Sequence, residues 1–132
     1  MKKEFSLNND ASKQNFLNET LQFSENALLN LLKHESLVAK PLLCIEEVIT
    51  NIVNHSPKAQ QGTVTIEIVL LKEHTLFIEI KDQGEKFDVS KFFKIKKENE
   101  IGGVGILLIR SLMDIEYQYT DGWNIVRLKK QY

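Results

Sequence analysis

Apolar residues fall along this chain with two different spacings, and the change from one to the other marks out its elements. Leu17, Leu21, Leu28 and Leu32 recur at helical spacing, so residues 11–34 read as one amphipathic helix. Asp10 or Ser12 can cap it by accepting backbone N–H bonds. A second helix is expected over 37–55. Pro41 then falls near its first turn, where a missing N–H costs least. Pro57 and Gly62 bracket the loop that follows. From there the spacing changes to two. Val64, Ile66, Ile68 and Leu70 point one way, and Leu76, Ile78 and Ile80 repeat the pattern after a short turn at Lys72-Glu73, which predicts a hairpin. Residues 82–102 are polar and charged, with Phe87, Phe92 and Phe93 interspersed, and excursions of this length in compact domains are usually functional or mobile. Residues 104–113 are helical and very apolar. The stretches IEYQYT and WNIVRLKK flank Asp121-Gly122, a strong hairpin signal. Residues 2–8 predict a short first strand.

The order is therefore strand, helix, helix, hairpin, loop, helix, hairpin. Its simplest packing is an α+β fold, a two-layer α/β sandwich with helices on one face of a mixed, mostly antiparallel sheet. At 132 residues the chain fits one domain spanning 1–132, long enough to bury a core without disulfides or a structural metal. The net charge of −1 supplies no global basic field for nucleic acid or an anionic membrane. Cys44, the single cysteine, sits in an apolar run and reads as a small buried hydrophobe in a reducing compartment. The beginning MKKEFSLNND lacks the apolar stretch of a signal peptide, and runs such as IVLL are too short to span a bilayer, so the expected location is the cytoplasm.

Three features carry candidate chemistry. On the second helix, Ile45, Ile49, Ile52 and Val53 share one face, while Glu47, Asn51 and Asn54 cluster on the opposite one with His55 at its edge. Glu47 and Asn51 are one turn apart. A carboxylate beside a carboxamide oxygen can hold a hydrated magnesium ion and orient a hydroxyl, although polar helix faces are most often simply solvated. Asp82-Gln83-Gly84 follows a strand directly. Its acid can accept a hydrogen bond from an exocyclic amine, and its glycine lets a flat ring approach the backbone, although the same tripeptide also makes plain turns. Gly102-Gly103-Val104-Gly105 opens the apolar helix, where exposed N–H groups and the helix N-terminus favour phosphate.

Together and in this order, these segments resemble the N, G1 and G2 boxes of the GHKL superfamily of ATPases and kinases, which share the Bergerat fold. The small anti-sigma-factor serine kinases are the most similar branch. The boxes are EEVITNIVNH (46–55), DQGEKFD (82–88) and GGVGILLIRSLMD (102–114). The resemblance implies that ATP and Mg²⁺ bind here, with Glu47 as the general base and Asn51 as the metal ligand. It implies that Asp82 receives the adenine amine, that Gly84 admits the ring, and that Gly102, Gly103 and Gly105 wrap the phosphates. Asn54, His55, Phe87, Val104, Ile106 and Asn124 would complete the nucleotide site, Asn124 standing where many relatives have a threonine. The implied activity is transfer of phosphate to a serine or threonine of a STAS-like anti-anti-sigma partner. A sigma factor is a second implied ligand, and a homodimer an implied assembly.

The sequence also departs from the pattern. Some relatives carry a basic residue just before the glycines, where this chain has Glu100-Ile101; Lys94, Lys96 and Lys97 could substitute as cations for the γ-phosphate. The departure keeps open an alternative, a nucleotide-gated binding module that sequesters a partner without phosphate transfer. Arg110 reads as structural or partner-facing. His34-Glu35 with Pro41-Leu42 resembles the phospho-acceptor box of sensor histidine kinases, but the proline comes two residues too late. Tyr117 and Trp123 read most simply as hairpin packing residues.

Overall fold

A computed structural model of the chain describes residues 1–7, 13–55, 62–87 and 109–132. Strand β1 (Lys2–Leu7) is followed by helices α1 (Lys13–Leu32) and α2 (Glu35–His55). Strands β2 (Gly62–Leu71), β3 (Thr75–Asp82), β4 (Asp114–Thr120) and β5 (Trp123–Gln131) complete the order. The sheet runs β1-β2-β3-β5-β4, and all four neighbouring pairs are antiparallel, so no parallel pair accompanies them among the described residues. The helices cover one face. Val64, Ile66 and Ile68 of β2 with Leu76, Ile78 and Ile80 of β3 are fully buried and form one core with Ile45 and Ile49 of α2 and Leu28 of α1. Burying each such side chain stabilises the fold by about 1.5–3 kcal/mol.

α1 ends where Lys33 adopts a left-handed conformation (φ 68°) and its N–H returns to the Leu29 carbonyl, a capping bend that breaks the helix before the expected residue 34. The stripe that α1 buries includes Thr20 and Ser24 as well as Phe16, Ala27 and Leu28. The two hydroxyls satisfy themselves by donating to the Leu17 and Thr20 carbonyls at 2.9 and 2.7 Å.

α2 begins at Glu35, two residues earlier than expected, which moves Pro41 out of the first turn and into the helix body. Proline there cannot donate to the carbonyl four residues back, that of Leu37. The Tyr132 hydroxyl supplies the missing donor at 2.9 Å. Cys44 is fully buried, and burial pushes its thiol up to about 11, with Lys130 opposing and Glu47 adding to the rise.

The β4–β5 hairpin turns at Asp121 and Gly122 with φ of 52° and 82°, the two left-handed residues a tight hairpin turn requires. At Lys72–His74 a turn of 3-10 helix joins β2 to β3, again with two left-handed residues, Glu73 and His74. Residues 109–112 are helical, and the Met113 N–H closes that turn on the Ile109 carbonyl.

Candidate functional site

β3 ends and β5 begins at the same end of the sheet, and Asp82, the last residue of β3, is the direct cross-strand partner of Asn124, the second residue of β5. Both belong to the alternating set that faces the helices, and both are buried, at 4% and 2% exposure. The pleat therefore turns two polar side chains into the apolar layer, where each must find partners. Asn124 Nδ2 donates to Asp82 Oδ1 at 3.1 Å, and the Gly84 N–H donates to the same oxygen at 2.9 Å. Beyond Asp82 the chain folds back over Asn124. The Glu85 carbonyl accepts from Nδ2 at 2.8 Å, and the Phe87 N–H donates to Oδ1 at 3.0 Å. Burial raises the Asp82 pKa, and the bonds from Gly84 and Asn124 oppose the rise. Among the described residues no group donates to Asp82 Oδ2.

α2 reaches this end of the sheet with its C-terminal turns. Its start is fixed beside the end of β5 by the bond from Tyr132 to Leu37, and Cys44 feels the charge of Lys130. The helix therefore runs opposite to β5. From Leu37 to Asn51 it advances about 21 Å. From Tyr132 back to Asn124 a strand covers about 26 Å. The C-terminal turns of α2, which carry Asn51, thus lie toward the end of the sheet where β5 begins.

Asn51 is 7% exposed, and its Nδ2 is buried with no hydrogen-bond partner among the described residues. Among its described side chains, the polar face expected on α2 is therefore not a solvated stripe: Asn54 is exposed, but Glu47 is half-buried and Asn51 buried. An unpaired buried amide costs about 1–3 kcal/mol. Oxygen and nitrogen of a carboxamide exchange by a simple flip, so this amide can turn its oxygen toward a cation. The donor set fits Mg²⁺, which takes one or two protein oxygens and completes its shell with water and phosphate. Glu47 has its pKa raised, first by burial and then by the neighbouring charge of Glu46.

The structure thus joins Asp82, Gly84, Phe87 and Asn124 in one hydrogen-bonded cluster and brings Asn51 to the same end of the sheet. Glu47 lies one turn back along α2. The His55 side chain and residues Gly102, Gly103, Val104, Gly105 and Ile106 lie outside the described residues, as do Lys94, Lys96, Lys97, Glu100 and Ile101. Tyr117 is the residue that sequence reasoning missed. Its hydroxyl donates to Asn124 Oδ1 from β4, and its place in the register opposite Val126 is readable only once β4 is paired with β5.

An antiparallel sheet covered on one face by helices is the fold of the histidine kinase-like ATPase class. The sequence pattern of the histidine kinase-like ATPase domain matches residues 12–130, and the chain belongs to that family. Serine-protein kinase RsbW of Listeria monocytogenes serotype 4a is 32% identical over 98 residues, which cover 66% of this chain and 62% of the relative. RsbW of Bacillus cereus is 33% identical over 97 residues, covering 66% and 60%. The matched region thus spans about three fifths of these relatives. Among solved structures, the SiaB–SiaC complex from Pseudomonas aeruginosa superposes with a TM-score of 0.59 at 14% identity, covering 98% of this chain and 88% of the other. The histidine kinase AdeS of Acinetobacter baumannii gives 0.56 at 13% identity, covering 99% and 67%. At such identities the likeness is one of fold.

Proposed function

We propose that this chain binds Mg-ATP between α2 and the Asp82–Asn124 end of the sheet and transfers the γ-phosphoryl group to a serine or threonine of a STAS-like anti-anti-sigma protein. A sigma factor is its second ligand in this reading, and the setting is the cytoplasm. The observation that carries the reading is the buried amide of Asn51, unpaired among the described residues, on the helix that ends toward the Asp82 end of the sheet. Family membership and similarity to proteins named as serine kinases support it.

In this reading Asp82 Oδ2 receives the adenine amine and Gly84 leaves room for the ring. Asn54, His55, Phe87, Gly102, Gly103, Val104, Gly105 and Ile106 line the nucleotide. Asn51 holds Mg²⁺ through its side-chain oxygen. The ion, when bound, neutralises charge on the phosphates. Glu47 takes the proton of the acceptor hydroxyl as that oxygen bonds to the γ-phosphorus and the bond from this phosphorus to the β–γ bridging oxygen breaks, so that ADP leaves. Its raised pKa brings it closer to the operating pH, where a general base is most effective.

The test is incubation of the purified protein with Mg²⁺, γ-labelled ATP and a STAS partner. Label should appear on the partner's hydroxyl residue, and Glu47→Ala should abolish labelling while keeping ATP binding. Undiminished labelling by the variant would remove Glu47 as the base. ATP binding with no transfer by the unmodified protein would replace the kinase with a nucleotide-gated binding module.

A further inference from the structure

The side chain of Asn124 has four hydrogen-bonding positions, two N–H and two lone pairs, and the protein itself fills all four. Nδ2 donates to Asp82 Oδ1 at 3.1 Å and to the Glu85 carbonyl at 2.8 Å, with the Gly84 carbonyl at 3.5 Å. Oδ1 accepts from the Phe87 N–H at 3.0 Å and from the Tyr117 hydroxyl. The amide cannot be flipped, because the Phe87 N–H can only donate and the Glu85 carbonyl can only accept. At 2% exposure Asn124 has no surface to offer in addition.

From this saturation we infer that Asn124 does not touch the nucleotide and instead forms, with Tyr117, a positioning pair that sets the aim of Asp82. The inference rests on the ATP site proposed above. Tyr117 stands on β4 and Asn124 on β5, and the amide carries the constraint on to β3 and to the segment 84–87. Both donors on Asp82 converge on Oδ1, which leaves Oδ2 as the oxygen turned to the amine. The Tyr117 hydroxyl fixes the amide plane, and the amide fixes the carboxylate. The pair thus acts on recognition of the purine amino group and leaves the phosphates untouched. It also ties down residues 84–87 after Asp82.

Calorimetry with two nucleotides tests this. ATP carries the 6-amino group, and purine riboside triphosphate lacks it. Tyr117→Phe, which keeps the ring and removes one hydrogen bond, should weaken ATP about five-fold and purine riboside triphosphate less than about two-fold. In an Asn124→Ala background the same substitution should cost nothing further, because its route to Asp82 is gone. The melting temperature of Tyr117→Phe should show no correlation with the loss. An equal loss for both nucleotides would mark a merely structural role and overturn the inference, as would additive losses or unchanged ATP affinity. Should Asn124→Ala fail to fold, the two-nucleotide comparison in Tyr117→Phe decides alone. If the unmodified protein binds ATP and Tyr117→Phe binds it equally well, the positioning pair falls and the ATP site stands. If the unmodified protein binds no ATP, both fall.

Discussion

Asp82 and Asn124, 42 residues apart in sequence, face each other across neighbouring strands, and the amide of one holds a carboxylate oxygen of the other. The arrangement works against folding. Burial raises the carboxyl pKa in the folded state, and two hydrogen bonds oppose the rise. A carboxylate whose folded pKa lies above its unfolded value opposes folding once it ionises, and the penalty is absent below the unfolded pKa.

Asp82→Asn should therefore raise the melting temperature near neutral pH. The advantage should shrink as pH falls through the folded pKa and vanish below about 3.9, the ordinary aspartate value. The same change puts a donor where the purine amine needs an acceptor, so ATP affinity should drop about ten- to hundred-fold. Thermal melts across pH and calorimetry check the two halves separately.

Glu46 raises the pKa of Glu47 as a like charge beside it, after the larger effect of burial. Glu46→Gln removes that charge and should move the acid limb of the kcat/KM profile to lower pH while leaving the plateau in place. An unmoved limb would mean that Glu47 is not the titrating base.

Pro41 and Tyr132 form an interrupted helix and its repair. Tyr132→Phe leaves the Leu37 carbonyl to water and should destabilise the fold by about 0.5–1 kcal/mol. In a Pro41→Ala background, where α2 can close its own bond, that cost should disappear. Denaturant unfolding of the four proteins in the cycle reads the coupling directly.

Most of the fold was legible because burial on one face imposes alternation on β2, β3 and β5 and leucine spacing on α1. The Asp121-Gly122 turn and the resulting hairpin followed from local chemistry alone. The start of α2 was not legible. A proline suggests a first turn, and only the distant Tyr132 hydroxyl makes its interior position tolerable. The buried stripe of α1 was also rotated from the leucines alone, because Thr20 and Ser24 pair with their own helix and enter the core. Among the candidate residues, Asn51, Asp82 and Gly84 were singled out by their spacing. The burial of Asn51 was not, since helical periodicity assigns it to the polar side. Tyr117 was invisible because its role depends on strand pairing.

The central claim is that the Asn51 amide meets a magnesium ion held by ATP. Calorimetry of ATP binding, with and without Mg²⁺, on the unmodified protein and on Asn51→Ala tests it most directly. The account predicts that Mg²⁺ tightens ATP binding to the unmodified protein about ten-fold or more, and that the variant binds ATP equally weakly with and without the ion. A variant that keeps the full magnesium-dependent gain would contradict it.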